Sequence, residues 1–213
     1  MGVRGAPPAL VTELGLFPLP MVLLPTELAP LHIFEARYKE LIGECVSGNG
    51  EFGLVCADDD GIREIGTRAG VVEVLAQFED GRMDILVEGR ERFRLLELTS
   101  GRNFNTGAVS PIVDEDDPAE AGSVERALTL FDRLRGLTGS DVDMPDASSW
   151  QLSFVLAGRV ELALEAKLEL LQQVSERVRL DRVSELLEVA VATVERQRRA
   201  AERAATNGRV QLG

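Results

Sequence analysis

Apolar and polar positions change period several times along this chain of 213 residues. The opening run Leu14-Gly15-Leu16-Phe17-Pro18-Leu19-Pro20 is apolar, and Pro18, Pro20 and Pro25 follow closely on one another. Proline fixes φ and lacks an N–H, so this stretch reads as short extended pieces broken by turns. Pro30-Leu31-His32-Ile33-Phe34 continues in that manner. From Glu35 the period lengthens. Phe34, Tyr38, Leu41 and Ile42 recur at helical spacing, and Ser47-Gly48-Asn49-Gly50 ends that helix with residues that tolerate positive φ.

Strand patterns come next. Phe52-Gly53-Leu54-Val55-Cys56 is a buried-type run closed by Asp58-Asp59-Asp60-Gly61. Val71-Val72-Glu73-Val74-Leu75 and Met83-Asp84-Ile85-Leu86-Val87 flank Glu79-Asp80-Gly81-Arg82, which predicts a hairpin. Phe93–Leu98 as one run and 108–113 as another add two more strands. Short strands at such spacing make a small barrel or sandwich.

Beyond the acidic hinge at 114–117 the pattern is helical. Asp117-Pro118-Ala119-Glu120 has the cap, proline and glutamate of a helix start. Val124, Ala127, Leu128, Phe131 and Leu134 form a stripe, and 136–147 is a loop. Ser148-Ser149-Trp150-Gln151 has the form of a second capping box, with Leu152, Val155 and Leu156 on the face that follows; Trp150 is expected to pack between the two halves of the chain. Leu164, Leu168, Leu170 and Leu171 mark a further helix. One long helix then runs from about Ser175 to Ala205, with Val178, Arg182, Leu186, Val189 and Thr193 along one line. Its basic end, Arg196, Arg198, Arg199 and Arg203, complements the helix dipole. The expected organisation is a β-rich part over 12–113, a helical bundle over 117–205, and flexible termini at 1–11 and 206–213.

Charge sharpens this division. The chain carries 23 basic and 36 acidic side chains, for a net charge of −13. Residues 1–122 hold 10 basic and 22 acidic groups, and residues 123–213 hold 13 and 14. Such a field argues against nucleic acid and anionic membrane as partners. No apolar run reaches the ~18 residues of a membrane span, and the start MGVRGAPPAL has no apolar signal core, so a cytoplasmic protein is expected.

Counting excludes much chemistry. His32 is the only histidine, so sites that need several imidazoles from one chain are out of reach, and it reads as a structural imidazole. Cys45 and Cys56 have no metal or redox spacing and read as buried apolar fillers. Gly48-Asn49-Gly50-Glu51-Phe52-Gly53 matches a dinucleotide fingerprint but follows a helix and enters a strand, the reverse of what a pyrophosphate site needs. A calcium loop starting at Asp58 would need a carboxylate where Ala69 stands. The only lysines, Lys39 and Lys167, read as solvated surface, and there is no Gly-Lys pair and hence no P-loop. No cofactor and no metal are implied.

Several pieces, in order, resemble the N-terminal domain of the ATP-dependent Lon protease family. They are Leu16-Phe17-Pro18-Leu19, then 30–38 from Pro30 to Tyr38, then Ile65-Gly66-Thr67, then 80–89 with Arg92-Phe93-Arg94, and finally Arg182-Val183-Ser184-Glu185-Leu186-Leu187. The resemblance covers roughly residues 12–200. It implies an α+β fold, a PUA-like β-barrel subdomain followed by a helical bundle with a long C-terminal helix. It also implies a non-catalytic module that engages protein substrates. Without the ATPase and Ser-Lys protease modules of Lon, the chain is expected to be a stand-alone binding protein, not an enzyme. Its expected partners are unfolded or peptide-like segments, or a proteolytic machine it would serve as an adaptor. Met21, Leu31, Phe34 and Tyr38 are the candidate border of an apolar peptide groove, with 17–21 as an alternative strand edge. Two other classes stand beside this reading. One is RNA binding, as in other PUA-like proteins, which the acidic charge opposes. The other is a self-assembling scaffold built on the long helix.

Overall fold

The computed structural model describes residues 11–48 and 50–207. Among them, six strands and five helices follow in the order β1 (Thr12–Leu19), β2 (Leu28–Ile33), α1 (Ala36–Gly48), β3 (Glu51–Asp58), β4 (Gly61–Gln77), β5 (Met83–Thr99), β6 (Asn105–Pro111), α2 (Ala121–Thr138), α3 (Leu152–Ala157), α4 (Leu164–Gln172) and α5 (Glu176–Asn207). Two compact units result: 11–114 with Val160–Val174, and Glu115–Arg159 with 175–207. The expected flexible termini lie outside the described residues, apart from Val11 and the helix end at 206–207, as does Asn49 of the glycine-rich turn.

The first unit is one mixed sheet in the order β2-β5-β4-β3-β1-β6, in which β6 also pairs with β5. β1 runs parallel to β3 and antiparallel to β6. The expected barrel is corrected here: this is not a true barrel. β5 changes partners along its length. Residues 83–88 pair with β2 on one side and β4 on the other, whereas 93–99 pair with β6. β2 therefore lies outside the circuit of strands that runs through β6.

Of the runs read as separate short strands, 83–87 and 93–98 are two parts of one 17-residue strand, β5, and 71–75 is the latter part of another, β4. Bulges at 67/69, 71/73 and 74/76 bend β4, and one at 95/97 bends the β5–β6 pairing. An extra residue breaks the alternation, which is why each long strand looks interrupted in sequence. Gly61 and Gly81 take φ of 113° and 80° in the turns on either side of β4, the glycine conformation that both Asp-Gly turns call for.

Two apolar clusters fill this unit. One holds α1 against the sheet through Tyr38, Leu41, Ile42 and Cys45, packed with Phe17, Phe52, Ile33, Ile85 and Val87. The other gathers Leu14, Leu16, Val55, Phe93 and Val109. Helix α4 belongs to this unit, although residues 117–205 read as one bundle in sequence. Polar groups anchor it. Buried Arg92 of β5 donates to the carbonyls of Leu171 and Gln173, both at 2.8 Å, and to Asp114, so a guanidinium caps the end of α4. Lys167 of α4 pairs with Glu27, whose other oxygen accepts the Leu24 N–H at 2.9 Å.

In the second unit α2 and α5 run parallel. Ser123 meets Asp181, Arg126 meets Glu188 and Arg133 meets Glu195, stepping the same way along both helices. Ala127, Phe131 and Leu134 of α2 are buried, as are Leu180, Val183, Leu187 and Val191 of α5. This stripe replaces the expected line through Val178, Leu186 and Val189, of which Val189 is exposed. Arg179 is wholly buried, with Phe154 4.0 Å beneath its guanidinium, Ser153 Oγ at 2.7 Å and Glu176 at 2.6 Å. Asp117 does not cap α2, whose N-cap is Glu120 without a side-chain bond. It accepts instead from Ser175 and Arg177 near the start of α5, where Ser175 Oγ caps the Val178 N–H. The expected cap before α3 is also absent: Gln151 holds that place in a left-handed conformation. Trp150 is 80% exposed and does not pack as expected.

Candidate functional site

The sheet ends in a three-stranded lobe formed by β2, the first half of β5 and the last part of β4. Strand alternation gives it two faces. Ala29, Ile33, Met83, Ile85 and Val87 point inward and are buried with α1. The opposite face carries the cross-strand pairs Leu28 with Glu88, Pro30 with Leu86, and His32 with Asp84.

His32 and Asp84 are joined by a hydrogen bond from ring to carboxylate. The Phe34 ring stacks beside the imidazole with centroids 5.9 Å apart, and Phe78 meets it edge-on at 6.3 Å. Arg82 lies over Phe78 at 5.2 Å and pairs with Asp80, and Lys39 donates to the Asp80 carbonyl at 2.8 Å. These contacts hold two aromatic rings at the rim of the lobe. Phe34 is 61% exposed, and Leu28, Val72, Val74, Leu75 and Phe78 are exposed with it. Phe34 and Phe78 are brought together at His32, whereas Leu28 lies at the other end of β2 and Val74 pairs with Ile85. Exposed apolar side chains that adjoin one another gain free energy when covered.

The four candidates from sequence fall in different places. Phe34 stands on this rim. Met21 and Leu31 are partly buried and pack against the inner cluster. Tyr38 is only 4% exposed, stacked on Phe17 at 4.0 Å, and its hydroxyl is pushed above its ordinary pKa by burial. It supports the lobe from beneath and is not available to a ligand on the outer face. On the alternative edge, Phe17–Leu19 as β1 residues pair with β3 on one side, while β6 follows β1 only over 12–16, so 17–19 have no strand on their other side among the described residues. Leu28, Val72, Val74, Leu75 and Phe78 were not singled out from sequence. For Val72, Val74 and Leu75 the signal is a run, 71–75, with more apolar residues than strict alternation allows.

Burial first, then Glu44 and Glu51, push the Cys45 thiol up to about 11, which leaves it protonated at neutral pH. A shallow groove of about 440 Å³ beside it is lined by Glu13, Glu44, Glu51, Arg102 and Phe104. Arg102 pairs there with Glu44 and Glu40, and Glu51 with Arg90. Among the described residues, no three His, Cys, Asp or Glu side chains are grouped to hold a metal, and no helix is long and apolar enough to cross a membrane.

The family model of the ATP-dependent protease La (LON) substrate-binding domain matches residues 13–189. The chain belongs to this family. Curated relatives include Lon protease 1 of Hydrogenovibrio crunogenus, 24% identical over 66% of this chain and 18% of that protein. The Lon protease of Paraburkholderia phytofirmans is 29% identical over 76% of this chain and 22% of its own length. The chain thus spans about a fifth of the length of these relatives. Among solved structures, a Lon N-terminal domain protein from Xanthomonas campestris superposes with a TM-score of 0.65 at 28% identity, covering 81% of this chain and 96% of the other. The N-terminal domain of the Mycobacterium avium complex Lon protease gives 0.62 at 15% identity over 85% and 98%, a likeness of fold alone.

Proposed function

We propose that this protein is a non-catalytic substrate-recognition module that binds unfolded or peptide-like segments of other proteins and delivers them to a proteolytic machine. The observation that carries the reading is the exposed pair Phe34 and Phe78 at His32, with Val72 and Leu75 exposed on β4, the strand that Phe78 follows, in a chain of the Lon substrate-binding family. Aromatic and aliphatic anchors held rigidly from below bind apolar segments at low ordering cost. The α1 cluster and the His32–Asp84 contact supply that rigidity here. Phe34 is the principal contact, Met21 and Leu31 border it, and Tyr38 acts as its support.

The test compares a reduced, carboxymethylated model protein with its native form. The expected result is selective retention of the unfolded form, with photo-crosslinks mapping to 28–34 and 71–78. Phe34→Asp should weaken binding roughly tenfold. Equal retention of the native form, or crosslinks confined to the second unit, would overturn the reading.

A further inference from the structure

We infer that the bare edge of β4, residues 71–77, receives a short extended segment bearing lysine or arginine as an added strand; this rests on the substrate-recognition reading above. The pairing pattern defines the edge. β3 pairs with β4 only as far as Glu51 with Gly70, whereas β5 follows β4 on to Gln77. Among the described residues, 71–77 pair with β5 alone, so one row of backbone N–H and C=O groups has no strand partner over roughly 23 Å. Exposed edges are usually blunted by charged side chains, proline, bulges or a covering element, and Glu73 and two bulges are the devices present on this one. It carries no lysine or proline, and it exposes Val72, Val74 and Leu75.

Charge selects the occupant. Glu73 on the edge, Glu79 beyond it and Glu88 across the lobe make no ion pair among the described residues. The nearby arginines are committed, Arg82 to Asp80 and Arg90 to Glu51. A segment with lysine or arginine between apolar residues would satisfy both the backbone row and these carboxylates. A second copy of this chain would set Glu73 near Glu73 under a net charge of −13 on each molecule, which opposes edge-to-edge pairing. The bulges at 71/73 and 74/76 add twist, so the edge suits a short segment and does not template a long sheet.

The test uses the whole chain and a fluorescein-labelled seven-residue peptide of alternating valine and lysine. It is compared with the same peptide N-methylated at alternate amides and with a glutamate-for-lysine version, by fluorescence anisotropy. The lysine peptide should bind, and each change should weaken it at least tenfold. Amide hydrogen exchange should slow within 71–77 on binding. Val74→Pro, which takes a backbone N–H out of β4, and Glu73→Lys should each weaken the lysine peptide. Equal affinity of the N-methylated peptide with unchanged exchange at 71–77, or no binding of any peptide, overturns the inference. If unfolded protein is still retained through Phe34 in that case, the recognition reading stands while strand addition fails. If neither binds, both fail. A dimer in light scattering that Val74→Pro dissolves would make a second copy the occupant and likewise overturn the inference.

Discussion

Gly89 shows how one position in a strand can be dictated by a distant segment. A Cβ there would lie 2.1 Å from the Leu24 carbonyl oxygen, a backbone atom with no rotamer to yield. The approach is close because the β1–β2 loop is bound to this point. Thr26 N–H donates to the Gly89 carbonyl at 2.7 Å, Gly89 N–H to the Glu27 carbonyl at 2.9 Å, and Thr67 Oγ1 to the Leu23 carbonyl at 2.6 Å. Thr26 itself takes φ of 67°, a costly conformation for a β-branched residue, and these bonds hold it there. Gly89→Ala should therefore destabilise the sheet unit by about 1–3 kcal/mol, read from urea unfolding. An unchanged midpoint would mean that the loop is not held against this strand. Nothing in the sequence around Gly89 distinguishes it from a turn glycine. The partner lies more than sixty positions away.

At the scale of elements, polar anchors set where helices begin, and two of the expected caps gave way to tertiary partners. Asp117 is the clearest case. Its carboxylate is held below the ordinary range by hydrogen bonds from Ser175 and then from Arg177. A group whose folded pKa is depressed contributes stability above its unfolded value, and that contribution is lost as pH falls through the folded value. The second unit should therefore lose stability as pH drops below about 4. Asp117→Asn should flatten this acid-side dependence, followed by far-ultraviolet circular dichroism of the helices. A variant whose profile overlays the parent's would show that the Ser175 and Arg177 contacts do not stabilise the ionised form. The stripe on α5 shifted for a related reason. A pattern that assigns arginine to the surface cannot place Arg179 in the core, where Ser153, Glu176 and the Phe154 ring compensate its charge.

For the molecule as a whole, the acidic excess acts on encounter. A net charge of −13, mostly over residues 1–122, attracts basic segments at long range. Raising salt from about 0.1 M to 1 M shortens the Debye length from about 10 Å to 3 Å. On the proposed reading, in which an apolar surface carries the bound state, the association rate of a basic unfolded client should fall severalfold over this range in stopped-flow measurements, while dissociation changes less. A rate insensitive to salt would remove steering from the mechanism and leave apolar contact alone.

Local pattern was enough to read the α+β class, the hairpin around Gly81, helices α1, α4 and α5, and the family resemblance, because each rests on spacing within a few residues or on motifs in order. The site was legible only in part. Phe34 lies in a quoted motif, but its exposure depends on how β2 lies against β5, and the same motif contains the buried Tyr38. The bare edge of β4 could not be read at all. It exists because β3 stops pairing at Gly70 while β5 continues, and where a strand loses its partner is decided by the length and bend of other strands. The grouping of α4 with the sheet is of the same kind, since Arg92 and Glu27 reach it across more than seventy residues of chain.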